Sequence, residues 1–220
     1  MFNNQYILTD KKIKAPSASN SYRMGDYNLF TSKEIRVYTS ENNKLTLIGY
    51  TFHCYSSKTE QEIVDYLSSD SLLVIRFEFP YMQQRRRGKK LFPDKMNKLS
   101  EYYLSIIKTI KNKYANKNIW IGGKSLGGRV ACSVSREIKV RGVVVFGYPF
   151  HPQNNNNNLR VQALIDEGPP ILICQGTRDK LGSQEEINNY KLNKNVKICF
   201  LQGGDHSFQS LKKHKFTKNE

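Results

Sequence analysis

The sequence predicts an α/β protein in which a mostly parallel sheet carries helices on both faces. Its predicted strands are continuous apolar runs, as at 72–79, 142–146 and 171–175, and amphipathic helices separate them. Strands that do not alternate apolar and polar residues are buried on both faces, and covering helices bury them. In such sheets the reacting groups gather in loops beyond the carboxyl ends of the strands. We therefore look for functional residues in those loops.

The N-terminal half carries the weaker signals. Residues 1–33 are polar and weakly patterned, which predicts an irregular segment or a small strand. The elements predicted after them are strands 35–38, 45–54 and 72–79, and helices 59–68 and 94–114. Thr59 and Glu62 have the spacing of a capping box, which supports the first of these helices.

The C-terminal half alternates strands and helices more regularly. Its predicted strands are 118–122, 142–146, 171–175 and 196–201, and its predicted helices are 126–138, 161–167, one from Ser183, and 207–215. Ser183 and Glu186 repeat the capping-box spacing. No internal repeat and no long linker divides the chain, so we predict a single domain over residues 1–220.

The charge composition of the chain bears on whether it binds nucleic acid. The 220 residues include 35 Lys and Arg against 19 Asp and Glu, a net charge of +16. The excess is mostly scattered Lys accompanied by abundant Asn, although the segment 85–90 is a dense basic cluster. A general bias toward Lys and Asn explains this pattern better than a binding face does, so we do not expect nucleic acid as the main partner.

The same composition indicates a cytoplasmic protein. No run approaches the 18 or so apolar residues of a membrane span, and residues 1–5 do not begin a signal peptide. The four cysteines lack a C-x-x-C spacing and three lie in apolar segments, which predicts buried reduced thiols instead of disulfides or a metal site. We expect no metal and no cofactor.

The segment 123–127 matches G-x-S-x-G, the nucleophile elbow, with a predicted strand before it and a predicted helix after it. In such a turn Ser125 adopts a strained left-handed conformation, and its flanking residues must be small. The backbone N–H of Leu126 is then placed to donate to an oxyanion. The alternative is a plain Gly-Ser loop.

Two later loops supply partners for a serine nucleophile. Asp179 follows strand 171–175 and His206 follows strand 196–201. A serine hydroxyl needs a base, and the base needs an acid to fix its tautomer. Ser, Asp and His occur here in the chain order of the α/β-hydrolases. Taken singly, Asp179 is better explained as a turn residue and His206 as a surface or loop residue. Glu78 is the rival acid, whereas Asp205 is poorly placed to orient its own neighbour.

Five strings together are more specific than the elbow alone: residues 76–82, 122–129, 147–152, 175–179 and 204–208. They resemble the small α/β-hydrolase family related to dienelactone hydrolases. That family includes the testis-expressed hydrolase-like proteins and a subunit of the NSL histone-acetyltransferase complex. The resemblance implies the α/β-hydrolase fold, a Ser125–Asp179–His206 triad, and a hydrolase activity whose substrate it does not define.

One region departs from that family. Its members usually carry a His-Gly-x-Gly-type loop that supplies a second oxyanion donor, whereas residues 49–57 here contain a single Gly among bulky neighbours. Loss of one such donor costs about 100- to 1,000-fold in turnover. Because the donor is main chain, the N–H of Tyr50 or Thr51 remains a candidate.

Other residues suggest the substrate. Lys124 and the 85–90 cluster favour an anionic substrate group, although a solvated basic loop or a localisation signal explains the cluster equally well. Tyr81 and His151 are candidates for the pocket lining or for purely structural roles. The segment after Phe146 is short and Asn-rich, which predicts no cap domain and an open, shallow site.

Two hypotheses of function follow. The first is a serine hydrolase that acts on small esters or thioesters through an acyl-enzyme on Ser125. The second is a catalytically weak or inactive α/β-hydrolase-fold interaction module, which the altered segment 49–57 favours. The sequence defines neither the acyl substrate nor the oligomeric state.

Overall fold

The computed structural model describes residues 72–114 and 118–210, and the strand backbone at 23–24, 27–28, 36–38 and 46–51. The predicted helix 59–68 lies outside the described residues. The chain divides into two compact units, Met1–Trp120 and Ile121–Glu220.

The N-terminal unit contains a strand pair and three strands of a larger sheet. Its described elements are β1 (Arg23–Met24), β2 (Tyr27–Asn28), β3 (Arg36–Tyr38), β4 (Thr46–Thr51), β5 (Leu72–Phe77), α1 (Pro80–Arg86) and α2 (Met96–Lys113). Strands β1 and β2 pair antiparallel. Strand β5 pairs antiparallel with β3 and parallel with β4. The strands predicted at 35–38 and 45–54 are thereby confirmed, with shorter bounds.

Helix α2 has the amphipathic pattern that its sequence predicts. Its buried side chains recur at spacings of three and four residues: Leu99, Tyr102, Tyr103, Ile106, Ile107 and Ile110. The Phe77 ring of β5 packs edge-on against Tyr103, with 4.8 Å between ring centroids. This apolar stripe, and not local propensity, provides most of the stability of such a helix.

The sequence suggested that the basic cluster 85–90 lies in a loop, but part of the cluster is helical. Helix α1 begins at Pro80 and runs through Arg86, so the first cations of the cluster occupy its last turn. Pro at the first helical position lacks an N–H that would go unused there, and cations at a helix C-terminus interact favourably with the dipole. Gly88, at φ +86°, ends the turn that follows.

The C-terminal unit is a parallel sheet with short helices. Its elements are β6 (Asn118–Lys124), which begins in the preceding unit, α3 (Leu126–Val134), β7 (Gly142–Phe146), α4 (Gln162–Ile165), β8 (Ile171–Gly176), α5 (Gln184–Ile187) and β9 (Val196–Leu201). The strand order is β6-β7-β8-β9. Strand β8 pairs parallel with β7 and with β9. The four predicted strands of this half are confirmed.

Helix α3 packs on β7 through glycine. A Cβ at Gly128 would overlap Cγ1 of Val145 and lie 2.9 Å from the carbonyl oxygen of Gly123. A Cβ at Gly122 would overlap the carbonyl oxygen of Val144 on the neighbouring strand. Glycine at these positions lets the helix start directly above the sheet.

Two predicted helices differ from those observed. Helix α3 ends at Val134 instead of Ile138, and the Arg136 guanidinium beyond it donates to the carbonyls of Ala163 and Glu167. The predicted helix at 207–215 is absent from the described residues 207–210, where Phe208 has φ 63°. In the described part of the chain, no helix is both long and apolar enough to cross a bilayer.

Candidate active site

Ser125 stands at the turn between β6 and α3 with φ 53° and ψ −119°. The left-handed backbone expected from G-x-S-x-G is therefore present. The Ser125 N–H donates to the carbonyls of Phe146 and Gly147 at 3.0 and 3.1 Å, which ties the turn to the end of β7. Positive φ in a non-Gly residue costs about 1–3 kcal/mol, and the surrounding packing must hold it.

His206 lies between the serine and an acid. Its Nε2 is 2.9 Å from the Ser125 Oγ, and its Nδ1 is 2.7 Å from Oδ2 of Asp179. An ionised carboxylate only accepts hydrogen bonds, so Nδ1 carries the proton and Nε2 presents its lone pair to the serine hydroxyl. The structure thus brings together the three residues that the sequence predicted as a triad.

Asp179 is fully buried in the turn that follows β8. A buried carboxylate needs hydrogen-bond donors to replace the water it has lost. Its Oδ1 accepts from the Leu181 N–H at 2.8 Å. Its Oδ2 accepts from His206 Nδ1 and also from Nε2 of Gln175, at 2.9 Å. The sequence reasoning did not single out Gln175 as a neighbour of the acid; its signal is a lone polar side chain at the end of an apolar strand.

Close backbone approach joins the loops that carry the acid and the base. A Cβ at Gly176 would collide with the carbonyl oxygens of Gly204 and Asp205. The Thr177 hydroxyl accepts from the Gly203 N–H at 2.8 Å, and the Arg178 guanidinium donates to the Gly203 carbonyl at 2.9 Å. These contacts fix the ends of β8 and β9 against each other.

Asp205 and Glu78 are the other carboxylates that the sequence analysis considered as partners of His206. Asp205 accepts from the backbone N–H groups of Ser207 and Gln209, at 2.8 and 2.9 Å, so it stabilises the histidine loop and does not orient the ring. Glu78 is buried in the N-terminal unit. Asp179 is the carboxylate that contacts His206 Nδ1.

Lys124 contacts the histidine loop. Its Nζ donates to the backbone carbonyl of His206 at 2.6 Å and lies 4.9 Å from the centroid of the Phe208 ring. The cation and the ring attract each other, which favours the positive φ of Phe208. Lys124, which the sequence suggested for substrate binding, therefore supports the backbone of His206.

His151 is also engaged within the protein. Its ring is 1% exposed, with Nδ1 2.9 Å from the Pro152 carbonyl and Nε2 3.3 Å from Oε1 of Glu186. Burial raises the pKa of Glu186, but hydrogen bonds from the Ser183 backbone and hydroxyl, together with His151, more than offset this and lower it overall. These contacts join the Asn-rich loop to α5, and we assign His151 that structural role.

The remaining predicted residues lie in different elements. Leu126 is the first residue of α3, where backbone N–H groups have no partner within the helix. Tyr50 and Thr51 end strand β4 in the N-terminal unit. Tyr81 is in α1 of that unit, where its buried ring stacks on Phe79 with 6.2 Å between centroids.

Of the three described cysteines, Cys132 is buried as the sequence predicted, whereas Cys174 is half-buried. Burial raises the pKa of Cys132 to about 12 and that of Cys174 to about 11. Cys199 is exposed, because β9 is the last strand of the sheet order and part of its surface faces solvent. All three are free thiols.

Comparison with known proteins shows the fold. A family model described as an alpha/beta hydrolase domain matches residues 46–220. Among solved structures, an alpha-beta serine hydrolase homologue from Coxiella burnetii has 16% identity and a TM-score of 0.60, covering 78% of this chain and 83% of that one. The esterase domain of a Rhodothermus marinus protein has 15% identity and a TM-score of 0.58, covering 79% and 84%.

A third structure, a serine hydrolase without lid from Xanthomonas campestris, has 15% identity and a TM-score of 0.58, covering 79% of this chain and 80% of that one. At these identities the likeness concerns the fold alone. The predicted α/β-hydrolase fold is confirmed. In this chain the described connection from β7 to β8 contains only the four-residue helix α4.

Proposed function

The chain belongs to the family of alpha/beta hydrolase domains, and from this we propose that it is a serine hydrolase acting on small esters or thioesters. One observation supports the proposal above all others. The Ser125 hydroxyl, the His206 imidazole and the buried Asp179 carboxylate form one continuous hydrogen-bond chain. A residue with only a structural role does not require a strained backbone that directs its hydroxyl at an imidazole.

In the first step, Ser125 Oγ attacks the acyl carbon while His206 Nε2 takes the hydroxyl proton. The imidazolium that forms is stabilised by the ionised Asp179, which itself stays unprotonated. His206 then gives the proton to the leaving alcohol or thiol as the carbon–oxygen or carbon–sulfur bond breaks. An acyl group remains on Ser125.

In the second step, His206 takes a proton from water, the resulting hydroxide attacks the acyl-enzyme, and Ser125 recovers its proton as the acid leaves. The tetrahedral oxyanion of each step requires main-chain donors. We assign one to the Leu126 N–H at the start of α3, whereas a second donor from Tyr50 or Thr51 stays a prediction from the sequence. The positive end of the α3 dipole favours the same negative charge.

The expected substrates are small acyl compounds, because the β7–β8 connection carries no cap. An anionic group on the substrate stays a prediction from the sequence, made from the cluster 85–90 with its exposed cations Arg85, Arg87, Lys89 and Lys90. Lys124 and His151 are not part of this substrate assignment, since both contact other groups of the protein.

A fluorophosphonate probe tests the proposal without a known substrate. We expect the folded wild type to be labelled and Ser125→Ala to remain unlabelled, with both unfolding at similar temperatures. A panel of chromogenic esters and thioesters of increasing acyl length then defines the substrate range. Folded wild-type protein that takes up no probe would refute the assignment.

The second candidate function is an interaction module that retains the fold but does little or no chemistry. It is favoured by residues 49–57, which lack the glycine-rich sequence that supplies the second oxyanion donor in related proteins. Folded wild-type protein that takes up no fluorophosphonate probe would favour this candidate over the enzyme.

We also infer the narrower affiliation and the location. The five strings between residues 76 and 208 support a relationship to dienelactone hydrolases and to the testis-expressed and NSL-subunit proteins. A cytoplasmic location is supported by the free thiols Cys132, Cys174 and Cys199. Fractionation of cells that express the full chain tests the location.

A further inference from the structure

Gln175 is the last polar side chain of β8 before the acid loop, and it is fully buried. Its amide has four polar contacts. The Oε1 accepts from the Tyr148 N–H at 2.8 Å. The Nε2 has two hydrogens, and it donates to Asp179 Oδ2 at 2.9 Å and to the Gly182 carbonyl at 3.0 Å, while the Tyr148 carbonyl at 3.3 Å shares one of these hydrogens. A glutamine that only fills core volume does not need such a set of partners.

The partners determine which way the amide faces. A backbone N–H can only donate, so the group facing Tyr148 N must be the carbonyl oxygen of Gln175. The three groups on the other side, a carboxylate and two backbone carbonyls, can only accept. If the amide were flipped, its NH2 group would face the Tyr148 N–H, and its oxygen would face the carboxylate and the two carbonyls. The amide nitrogen therefore faces Asp179.

We propose that Gln175 is a positioning residue for the reaction: its amide holds the Asp179 carboxylate in the orientation that fixes the His206 tautomer. The two oxygens of the carboxylate have different partners, since Oδ1 is bound by the Leu181 N–H and Oδ2 is shared by Gln175 and His206. Rotation about the Asp179 side chain would break the bonds at both oxygens. Among the described residues, the side chains that donate to Oδ2 are those of Gln175 and of His206.

This inference rests on the proposed function, because positioning Asp179 matters only if Ser125 and His206 react. The hydrogen bonds of Gln175 themselves do not depend on that function. The titratable groups here are Asp179 and His206 themselves, the Lys124 ammonium on the His206 carbonyl, Asp205 in the same loop, and the Arg178 guanidinium on the Gly203 carbonyl. Of these, Asp179 is the one that Gln175 contacts. A variant of Gln175 should therefore act through Asp179.

The first measurement does not depend on catalysis. In full-length protein with ¹⁵N-labelled histidine, the His206 signals are assigned by their loss in His206→Gln. We expect one tautomer, with the proton on Nδ1, in the wild type. In Gln175→Met the Nδ1 proton should exchange about 10-fold faster and the second tautomer should appear, since one hydrogen bond to the carboxylate is lost. A folded variant with wild-type His206 signals would overturn the proposal.

Gln175→Met removes a buried amide, so a variant that keeps the fold is needed as well. Gln175→Asn keeps a buried amide but shortens the side chain by one methylene, which withdraws the amide from Asp179 and from Tyr148 alike. We expect the same change in the His206 signals, smaller in size. Gln162→Met is the matched control, because Gln162 donates to Asp166 at 2.8 Å on the exposed surface of the same unit. It should leave the His206 signals unchanged.

A double-mutant cycle separates positioning from general support of the fold. The rate of fluorophosphonate labelling should fall about 10- to 100-fold in Gln175→Met. In an Asp179→Asn background the same change should have little further effect, because the carboxylate through which Gln175 acts is gone. An equal loss in both backgrounds would show that Gln175 acts through Tyr148 or Gly182, and would overturn the proposal. If the wild type is not labelled, the proposed function fails while the tautomer measurement still decides the role of Gln175.

Discussion

Ser125 combines a positive φ with a hydroxyl directed at His206, and its neighbours explain both properties. The Ser125 N–H is held by the carbonyls of Phe146 and Gly147, so the backbone cannot relax without losing contact with β7. A Cβ at Gly147 would lie 3.3 Å from Cε1 and Nδ1 of the His206 ring. Glycine at this position therefore gives the imidazole room beside the serine.

At the residue scale, the role of the acid gives the clearest prediction. Asp179→Asn keeps the side-chain shape, but its amide favours the wrong tautomer of His206, with the proton on Nε2. We expect fluorophosphonate labelling to slow by about 10,000-fold, the loss known for this substitution in a serine triad. The control is Asp166→Asn, on the exposed surface of the same unit. A labelling rate within tenfold of wild type would show that Asp179 is not the acid.

The Lys124 contact gives a second prediction at this scale. Lys124→Met removes the ammonium that donates to the His206 carbonyl, and we expect labelling to slow by about 10-fold as the histidine loop loses its support. Lys124→Arg keeps a charged donor and should recover part of the rate. Lys180→Met, an exposed lysine of the same unit, should change nothing. If Lys180→Met slowed labelling equally, the loss in Lys124→Met could not be attributed to its contact with the His206 carbonyl.

Sequence order predicts this site better than it predicts the contacts that support it. Ser125, Asp179 and His206 each follow a predicted strand, so a parallel sheet brings them to one edge. The bond from Lys124 to His206 joins residues 82 positions apart, and no periodicity or spacing signals it. The same holds for Gln175, whose partners are defined only once β7 and β8 are paired.

At the element scale, the glycines of α3 limit how the helix can pack. Gly128→Ala places a methyl group against the side chain of Val145 and 2.9 Å from the backbone oxygen of Gly123. We expect the free energy of unfolding in urea to fall by about 1–3 kcal/mol. Val145→Ala in the same chain should restore part of it, whereas Ser133→Ala elsewhere on the helix should be neutral. Unchanged stability in Gly128→Ala would contradict the packing.

The capping box of α5 gives a prediction that depends on pH. Ser183 and Glu186 bond each other as the sequence predicts. Ser183→Ala should reduce the free energy of unfolding by about 1 kcal/mol at pH 7. These contacts lower the pKa of Glu186 below its ordinary 4.5, so they stabilise the fold above pH 4.5 and cease to do so as the pH falls through the lowered value. Urea unfolding should show a smaller difference between the two proteins at acid pH than at pH 7, with the bond from the Glu186 N–H to the Ser183 hydroxyl remaining in the wild type.

Element boundaries are where the sequence was least informative. Apolar runs predicted β5 to β9, although the side chains of β9 are half-buried or exposed. Helix α3 ends earlier than predicted, and the Arg136 guanidinium beyond it donates to the carbonyls of Ala163 and Glu167, contacts that the local sequence does not signal. The basic residues after Phe79 suggested a loop, yet Pro80 starts a helix there. In that case the local sequence did carry a signal, since Pro is favoured at the first helical position.

For the whole molecule, the net charge of +16 raises the question of nucleic-acid binding. Binding to duplex DNA through phosphates requires several cations on one surface, and its affinity falls steeply with salt. The exposed cations of the 85–90 cluster are the densest group, but most of the 35 basic residues are spread along the chain. A scattered excess predicts weak attraction that salt screens.

We therefore expect duplex DNA to bind weakly at about 0.02 M salt and not measurably at about 0.15 M, where the Debye length is about 8 Å. Fluorescence anisotropy of a labelled duplex, titrated with wild-type protein at both salt concentrations, measures this. Reversing Lys89 and Lys90 to Glu should abolish even the low-salt signal if the cluster carries it, while Ser125→Ala should leave that signal intact. Saturable binding that persists at 0.15 M would mean that the charge forms a binding face, and that the hydrolase fold here serves a nucleic-acid partner.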